Sequence, residues 1–244
     1  MRSPARSAAA MSATRALLLV ASAVLAQACA PPTPTPEQVY EEASRSVAMV
    51  YAAEPSGRIV GRGSGVFLDR ELLVTSCHVI ARGKTFLVGH RQKRSHARLV
   101  GYDAERDLCA LHVAGLDAVA ARIGDAAAVR VGQRVYAIGT PEGFELTLSE
   151  GLVSGLRESP AGPYIQTTAA LSEGSSGGGL FDREGRLIGI TSFVYSSGQN
   201  LNFAAPVNWA AALAVKASGA ASTAAPEVEL PPELATQWRH PVLR

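Results

Sequence analysis

Short apolar runs, rich in β-branched residues and broken by Gly, Asp and Pro, follow one another from residue 40 to about residue 205. Examples are "SVAMVYAA" at 46–53, "RVYAIG" at 134–139 and "LIGITSFVY" at 187–195. Roughly a dozen such runs, with no long helical period between them, predict an all-β barrel or sandwich. One helix is expected over 206–216, "PVNWAAALAVK", since a proline opens the segment and one side of it is apolar.

The first 28 residues predict a secretory signal. Three arginines precede "ALLLVASAVLAQACA", an apolar stretch that is too short to span a bilayer and ends in small residues. Translation could start at Met1 or at Met11. The "AQA" before Cys29 fits ordinary signal cleavage, while "LAQAC" resembles a lipoprotein signal in which Cys29 becomes the lipidated first residue. Both alternatives predict export, the second with attachment to a membrane through the lipid.

The remaining chain divides into three parts by composition. Residues 29–43 are Pro-rich and predict a tether, residues 44–216 form the β-rich domain, and residues 217–244 are weakly patterned and predict a disordered tail. Setting aside the three arginines of the signal leaves 20 basic and 21 acidic residues. With no strong basic field, nucleic acid is not an expected partner.

Three stretches carry residues that are suited to acyl transfer. His78 ends a strand-like run, Asp107 begins another, and Ser176 stands among glycines in "LSEGSSGGGLFD" at 171–182. A serine alcohol needs a neutral imidazole as its base, and the imidazole needs a carboxylate on its far nitrogen. The glycine turn could also direct the amides of Gly174 and Ser176 at one point as an oxyanion hole. Taken alone, this turn could equally be a plain linker.

The order and spacing of five blocks resemble the trypsin-like serine proteases of the HtrA (Deg) type over nearly all of 44–213. The blocks include "GSGVFLDRELLVTSCHVI", "VGYDAERDLCALHV" and "IQTTAALSEGSSGGGLFDREGRLIGITS". The resemblance implies two six-stranded antiparallel barrels with the active site in the cleft between them. It also implies His78 as the general base, Asp107 as its orienting carboxylate and Ser176 as the nucleophile. The implied function is an exported, periplasmic endopeptidase that cleaves exposed or unfolded segments of envelope proteins without a metal or an organic cofactor.

Cys77 and Cys109 stand where this family usually has alanine. Both flank residues that the fold must bring together, and an oxidising compartment favours pairing them, so a disulfide is the preferred interpretation. A metal site would need further ligands, which the sequence does not supply at suitable spacing. A nucleophilic Cys77 is disfavoured, because its side chain should point away from that of His78.

Other positions bear on specificity. The resemblance places Ala170 at the base of the S1 pocket, Val194 on its wall and Asn202 near its back, which implies a small aliphatic or small polar P1 residue. Val194 could instead be a strand residue that faces elsewhere. Ser175 replaces the usual Asn, and Gly179 replaces a usual Pro, which is expected to loosen the turn after Ser176.

Two alternatives to a constitutive protease remain. The chain could be a binder that holds extended peptides without cleaving them, or a latent protease that is activated by a partner, by substrate or by disulfide formation. No PDZ domain is expected, because the weakly patterned residues after 216 are too few to build one. Residues 30–43 are Pro-rich and acidic, so a monomer is expected.

Overall fold

The first six strands of the chain close into a barrel, which we call barrel 1. The computed structural model describes residues 33–141, 146–194, 200–221, 228–231 and 234. The strands are β1 (Val47–Ala53), β2 (Ile59–Phe67), β3 (Leu72–Ser76), β4 (Thr85–His90), β5 (Lys93–Asp103) and β6 (Leu108–Val113). Their order around barrel 1 is β1-β2-β3-β6-β5-β4, and every neighbouring pair is antiparallel.

The next six strands close into barrel 2. They are β7 (Arg134–Gly139), β8 (Thr147–Arg157), β9 (Tyr164–Thr167), β10 (Gly179–Asp182), β11 (Leu187–Val194) and β12 (Asn202–Pro206). Their order is β10-β11-β12-β9-β8-β7, and closure leaves no free strand edge in either barrel. The predicted pair of six-stranded antiparallel barrels is therefore confirmed.

The two barrels share a buried apolar cluster. Val74 and Leu108 of barrel 1 pack in the same cluster as Ile138, Tyr164 and Phe193 of barrel 2, and all five are at most 4% exposed. Close packing of this kind holds side chains in defined positions. The cluster therefore fixes barrel 1 against barrel 2 at the level where the candidate site lies.

The prediction of a tether over 29–43 is wrong for its second half. Helix α1 (Pro36–Ala43) begins with a capping box, in which the side chains of Thr35 and Gln38 each bond the other's backbone amide, and with a proline in its first turn. Its apolar face buries Val39 and Ala43. One of the prolines that suggested a tether, Pro36, thus lies in the first turn of a helix.

The C-terminal part also departs from the prediction. Helix α3 (Val207–Ala221) continues five residues beyond the expected end at 216 and packs on β5, β6 and β11. Gly101 of β5 leaves room for this helix, because a Cβ at 101 would lie 3.3 Å from the Cβ of Ala217. Val228 and Leu230 pack against the core of barrel 1, so the predicted disorder of 217–244 is wrong at these described positions.

The predicted signal at 1–28 and the lipidation candidate Cys29 lie outside the described residues. Within the described residues, none of the helices is long and apolar enough to cross a membrane.

Candidate active site

His78 and Asp107 meet where β3 and β6 end side by side in barrel 1. Helix α2 (Cys77–Ile80) follows β3 directly, and Asp107 is the residue before β6. The carboxylate Oδ2 of Asp107 lies 2.6 Å from Nδ1 of His78, and Oδ1 accepts the backbone amide of His78 at 3.0 Å. Asp107 is 1% exposed and has a φ of +57°, a left-handed conformation that aspartate tolerates better than most residues.

The carboxylate sets the protonation equilibrium of the imidazole. Burial lowers the pKa of His78, but the charge of Asp107 and its hydrogen bond to the ring outweigh burial and hold this pKa above its ordinary value. The imidazolium form is thus favoured by its neighbour. A base with this property readily takes up a proton from a nearby acid.

Ser176 lies in a tight turn of barrel 2 that packs against strand β2 of barrel 1. The backbone amide of Ser64 donates to the carbonyl of Ser176 at 2.8 Å. At Gly177, φ is +86°, and an added Cβ would lie 2.1 Å from the carbonyl oxygen of Ser64. Only glycine can therefore occupy position 177 without displacing β2.

The hydroxyl of Ser176 donates to the carbonyl of Ser192 at 2.8 Å. The hydroxyl of Ser192 in turn donates to Oδ2 of Asp107 at 2.9 Å. Because an alcohol has one proton, the hydroxyl of Ser176 must turn that proton away from the carbonyl of Ser192 when it donates to an imidazole. Ser192 is a residue that sequence reasoning missed, since a serine inside a strand carries no local signal.

The amides of Gly174 and Ser176 face no competing acceptor. Neither donates a hydrogen bond to another residue in the described part of the chain. Gly174 has a φ of +90°, and its carbonyl accepts the hydroxyl of Ser64 at 2.7 Å. Neither amide is therefore committed to another acceptor among the described residues, which is a condition for donors of an oxyanion hole.

Hydrogen bonds from hydroxyl groups stabilise the turn around Ser176 and the β2 backbone next to it. Thr75 Oγ1 donates to the carbonyl of Ser64 at 2.6 Å, and Thr191 Oγ1 donates to the carbonyl of Ser175 at 2.6 Å. The hydroxyl of Ser175 accepts the amide of Ser172 at 3.3 Å. Buried polar groups that are satisfied in this way give the turn a defined conformation.

The expected loosening at Gly179 does not occur. Gly179 is the first residue of β10 and pairs with Ile138 on one side and with Ile190 on the other. A Cβ at this position would lie 2.3 Å from Cε2 of the buried ring of Phe181. The glycine therefore accommodates that ring inside a paired strand.

Cys77 and Cys109 form a disulfide in the structure, and they are the pair predicted from the sequence. The bond joins the first residue of α2 to β6, where Cys109 pairs in register with Thr75. Both cysteines are fully buried. The bond therefore connects the segment that carries His78 to the strand that follows Asp107.

The three predicted S1 residues lie on neighbouring segments of barrel 2. Val194 pairs with Asn202 across β11 and β12, and Nδ2 of Asn202 donates to the carbonyl of Ala169 at 2.8 Å. Ala170, however, lines a cavity of about 170 Å³ that also contains Ser172 and Ser175, and Val194 and Asn202 do not line it. Val194 is 37% exposed.

His78, Gly174 and Ser176 open together into one cavity of about 350 Å³. Arg62 and Arg82 of barrel 1 also line this cavity. The cleft between the two barrels thus contains a serine, a histidine paired with a buried carboxylate, and two free amides. This combination defines the class of two-barrel serine hydrolases.

A family model, the trypsin-like peptidase domain, matches residues 63–190, which are just over half of the chain. The chain therefore belongs to the trypsin-like peptidases. The matched range contains His78, Asp107 and Ser176.

Curated relatives of the chain include HtrA-type proteases. A probable periplasmic DegP-like serine endoprotease of Hahella chejuensis is 36% identical over 155 residues, 60% of this chain and 33% of the relative. Protease Do-like 1 of the Arabidopsis thaliana chloroplast is 36% identical over 166 residues, 61% of this chain and 37% of the relative. The chain thus spans about a third of the length of the curated relatives it matches.

Solved structures of HtrA-type proteases superpose on the chain. The serine endoprotease from Yersinia pestis matches with a TM-score of 0.66 and 28% identity, covering 74% of this chain and 66% of its own. The HtrA-type protease AlgW with a bound tripeptide matches with a TM-score of 0.68 and 32% identity, covering 73% and 62%.

Proposed function

We propose that the chain is an exported serine endopeptidase. Ser176 Oγ attacks the scissile carbonyl while Nε2 of His78 takes the hydroxyl proton, and Asp107 holds the ring in the required tautomer. The amides of Gly174 and Ser176 stabilise the oxyanion. His78 then returns the proton to the leaving amine, and water hydrolyses the acyl-enzyme by the same route. No step requires a metal or an organic cofactor.

The observation that carries this proposal is the 2.6 Å contact between Asp107 and Nδ1 of His78, because His78 lines the same cavity as Ser176. A buried carboxylate directed at one ring nitrogen leaves the other nitrogen to act as a base. The raised pKa of His78 supports the same role, since the imidazolium that forms during attack is stabilised by Asp107.

The proposed substrates are exposed or unfolded segments of cell-envelope proteins. The named relatives include periplasmic endoproteases, and the AlgW structure contains a tripeptide. The predicted signal at 1–28 supports export to the same compartment, where the Cys77–Cys109 disulfide would persist. Partners are thus proteins or peptides rather than nucleic acid.

Two further features belong to this proposal. Cys29 is proposed as a lipid anchor, so Cys29→Ala should move the protein from the membrane fraction to the soluble fraction. The proposed state is a monomer, because α1 buries its apolar residues Val39 and Ala43 within its own chain. Light scattering of the purified protein tests that state.

For the S1 pocket we propose Ala170, Val194 and Asn202, which together offer no carboxylate to an arginine or a lysine. A peptide library that varies only P1 should favour Ala, Val, Ile or Ser. A clear preference for Arg or Phe would show that other residues form the pocket.

A latent protease is the second candidate function. The hydrogen bond from Ser176 to the carbonyl of Ser192 favours it, because the hydroxyl proton is bound to this carbonyl and must be redirected before it can be transferred to a base. A latent enzyme would react slowly with a fluorophosphonate and faster once an activating peptide is added. A peptide binder without catalysis would not react in either condition.

The deciding experiment compares the mature protein with its Ser176→Ala variant on an unfolded protein substrate. Cleavage by the parent alone is the expected result. Absence of cleavage by both, together with absence of fluorophosphonate labelling, would reject the endopeptidase.

A further inference from the structure

A cavity beside His78 and Ser176 is separate from the proposed S1 residues. Its walls come from β2 and from the segment after α2, both in barrel 1, and from Glu173 and Gly174 before the nucleophile. None of the candidate S1 residues lines it. With P1 in the proposed S1 site, the residues that follow the scissile bond are taken to extend past Ser176 into this cavity.

Two arginines give this cavity its charge. Arg62 and Arg82 both line it, and neither forms an ion pair with an acid among the described residues. In contrast, the nearby Arg58 is bound by Glu54, and Arg106 is bound by Asp103. A guanidinium without a protein carboxylate partner remains able to bind a substrate carboxylate with two hydrogen bonds.

Arg62 is held in place before substrate arrives. Its guanidinium carbon lies 5.8 Å from the centroid of the Tyr51 ring, and Arg94 lies 6.0 Å from the same centroid. A cation stacked on an aromatic ring loses less freedom when it binds an anion. Arg82 follows α2 and is four residues from His78, so the disulfide-linked segment also positions it.

On the basis of the proposed function, we propose that Arg62 and Arg82 select substrates with Asp or Glu among the first three residues after the scissile bond. Glu173 is the one acid among the described residues that line the cavity. It directly precedes Gly174 in the turn from Gly174 to Ser176, whose amides are the proposed oxyanion donors and which we call the oxyanion turn. It disfavours an acidic residue close to the scissile bond. The preference should therefore be stronger at the second and third positions than at the first.

The test uses quenched-fluorescence peptides that are identical up to P1 and carry Asp, Asn or Lys at one following position at a time. The parent should cleave the best Asp peptide about fivefold faster in kcat/KM than its Asn counterpart at low salt, the size expected for an exposed ion pair. This ratio should fall towards one in 0.5 M salt, because salt screens exposed charges.

Variants assign the effect to the two arginines. Arg62→Gln and Arg82→Gln should each reduce the Asp/Asn ratio, and the double variant should bring it to about one. Glu173→Gln should raise the ratio, most of all at the first position. Arg94→Gln is the matched control, since Arg94 approaches the same ring but does not line this cavity. An unchanged ratio in the double variant, or a parent ratio of one, would overturn the proposal.

Binding separates this proposal from the proposed function. Labelled peptides can be titrated against the Ser176→Ala protein and followed by fluorescence anisotropy. Tighter binding of the Asp peptide than of the Asn peptide, lost in the double arginine variant, supports the charge selection even if the parent cleaves nothing. Equal affinities would reject the selection even if the parent proves to be an active protease.

Discussion

The two barrels hold their halves of the candidate site by different physical means. Barrel 1 positions His78 and Asp107 through a disulfide, a buried carboxylate and a residue at positive φ. Barrel 2 positions Ser176 through a glycine-rich turn whose carbonyls accept hydroxyl and amide protons, several of them from barrel 1. The half in barrel 1 depends on charge and on a covalent link. The half in barrel 2 depends on close packing of neighbouring atoms around its glycines. Changes of charge should therefore damage the first half, and changes of volume should damage the second.

The largest effect is expected from Asp107→Asn in barrel 1. The variant keeps the shape of the side chain but favours the wrong tautomer of His78, so kcat should fall by about 10⁴-fold. Steady-state hydrolysis of a peptide substrate measures this. Asp117→Asn is the control, because Asp117 is an exposed barrel 1 carboxylate that is bound to Lys93, and its loss should leave kcat unchanged. Equal activity of both variants would remove Asp107 from the mechanism.

Gly177→Ala should give the next largest effect, in barrel 2. The added Cβ would meet the carbonyl oxygen of Ser64 at 2.1 Å and Thr75 Oγ1 at 2.4 Å, which displaces the oxyanion turn. Activity should fall by about 10²-fold or more. Gly132→Ala is a matched control, since Gly132 has a φ of +87° but has no atom within 4 Å of an added Cβ. It should cost about 1 kcal/mol in the free energy of unfolding and keep its activity. Similar activity losses in both variants would show that backbone strain, and not space, governs the turn.

Removing the disulfide should affect stability more than chemistry. The Cys77→Ala/Cys109→Ala double variant loses a link across 32 residues, which contributes about 3.5 kcal/mol in the chain-entropy model. For a domain of this size the Tm should fall by roughly 10 °C. Differential scanning calorimetry measures the change, with the reduced parent as a second sample. A Tm within 2 °C of the parent would show that packing alone holds the two strands of barrel 1 together.

The smallest effect is the shift of the pH profile. Since catalysis needs neutral His78 and Asp107 raises the pKa of His78, kcat/KM should rise with pH through a midpoint above about 6.5. The stability contribution has the opposite sign. It is fully present below the unfolded-state pKa of His78 and is lost as the pH rises through the folded-state value.

Variants in the two barrels should move this midpoint differently. Asp107→Asn should lower the midpoint, because it removes the charge that stabilises the imidazolium. Gly177→Ala should lower the rate without moving the midpoint. A midpoint that moves in both variants would mean that the two halves do not act independently on His78.

The local sequence pattern was sufficient to predict the strands, because their alternating apolar residues and turn residues recur along the chain. Period and turn residues predicted a series of short strands, and the described residues form twelve of them. The resemblance implied the two barrels that the structure contains, and the departure from alanine at Cys77 and Cys109 predicted their disulfide. The roles of His78, Asp107 and Ser176 remain predictions.

The predictions of a tether and of a disordered tail failed where the same residues are compatible with both an irregular segment and a helix. Proline before residue 37 suggested a tether, but Pro36 in the first turn of α1, next to the Thr35 capping box, starts a helix. Weak patterning suggested disorder after residue 216, but α3 continues because β5 and β6 cover one of its sides. In both places burial against distant strands outweighed a weak local preference.

The sequence by itself determined the all-β class of the fold and predicted His78, Asp107 and Ser176 as candidates for acyl transfer, because strand periodicity and the order of short motifs are local properties of the chain. Only the tertiary structure decided the neighbours of those residues. It brought Ser192 to Asp107, Ser64 to the turn that carries Ser176, and both Arg62 and Arg82 to one cavity. These contacts join residues that are far apart in the chain. They depend on how the two barrels close and pack, so the local spacing of residues in the sequence does not predict them.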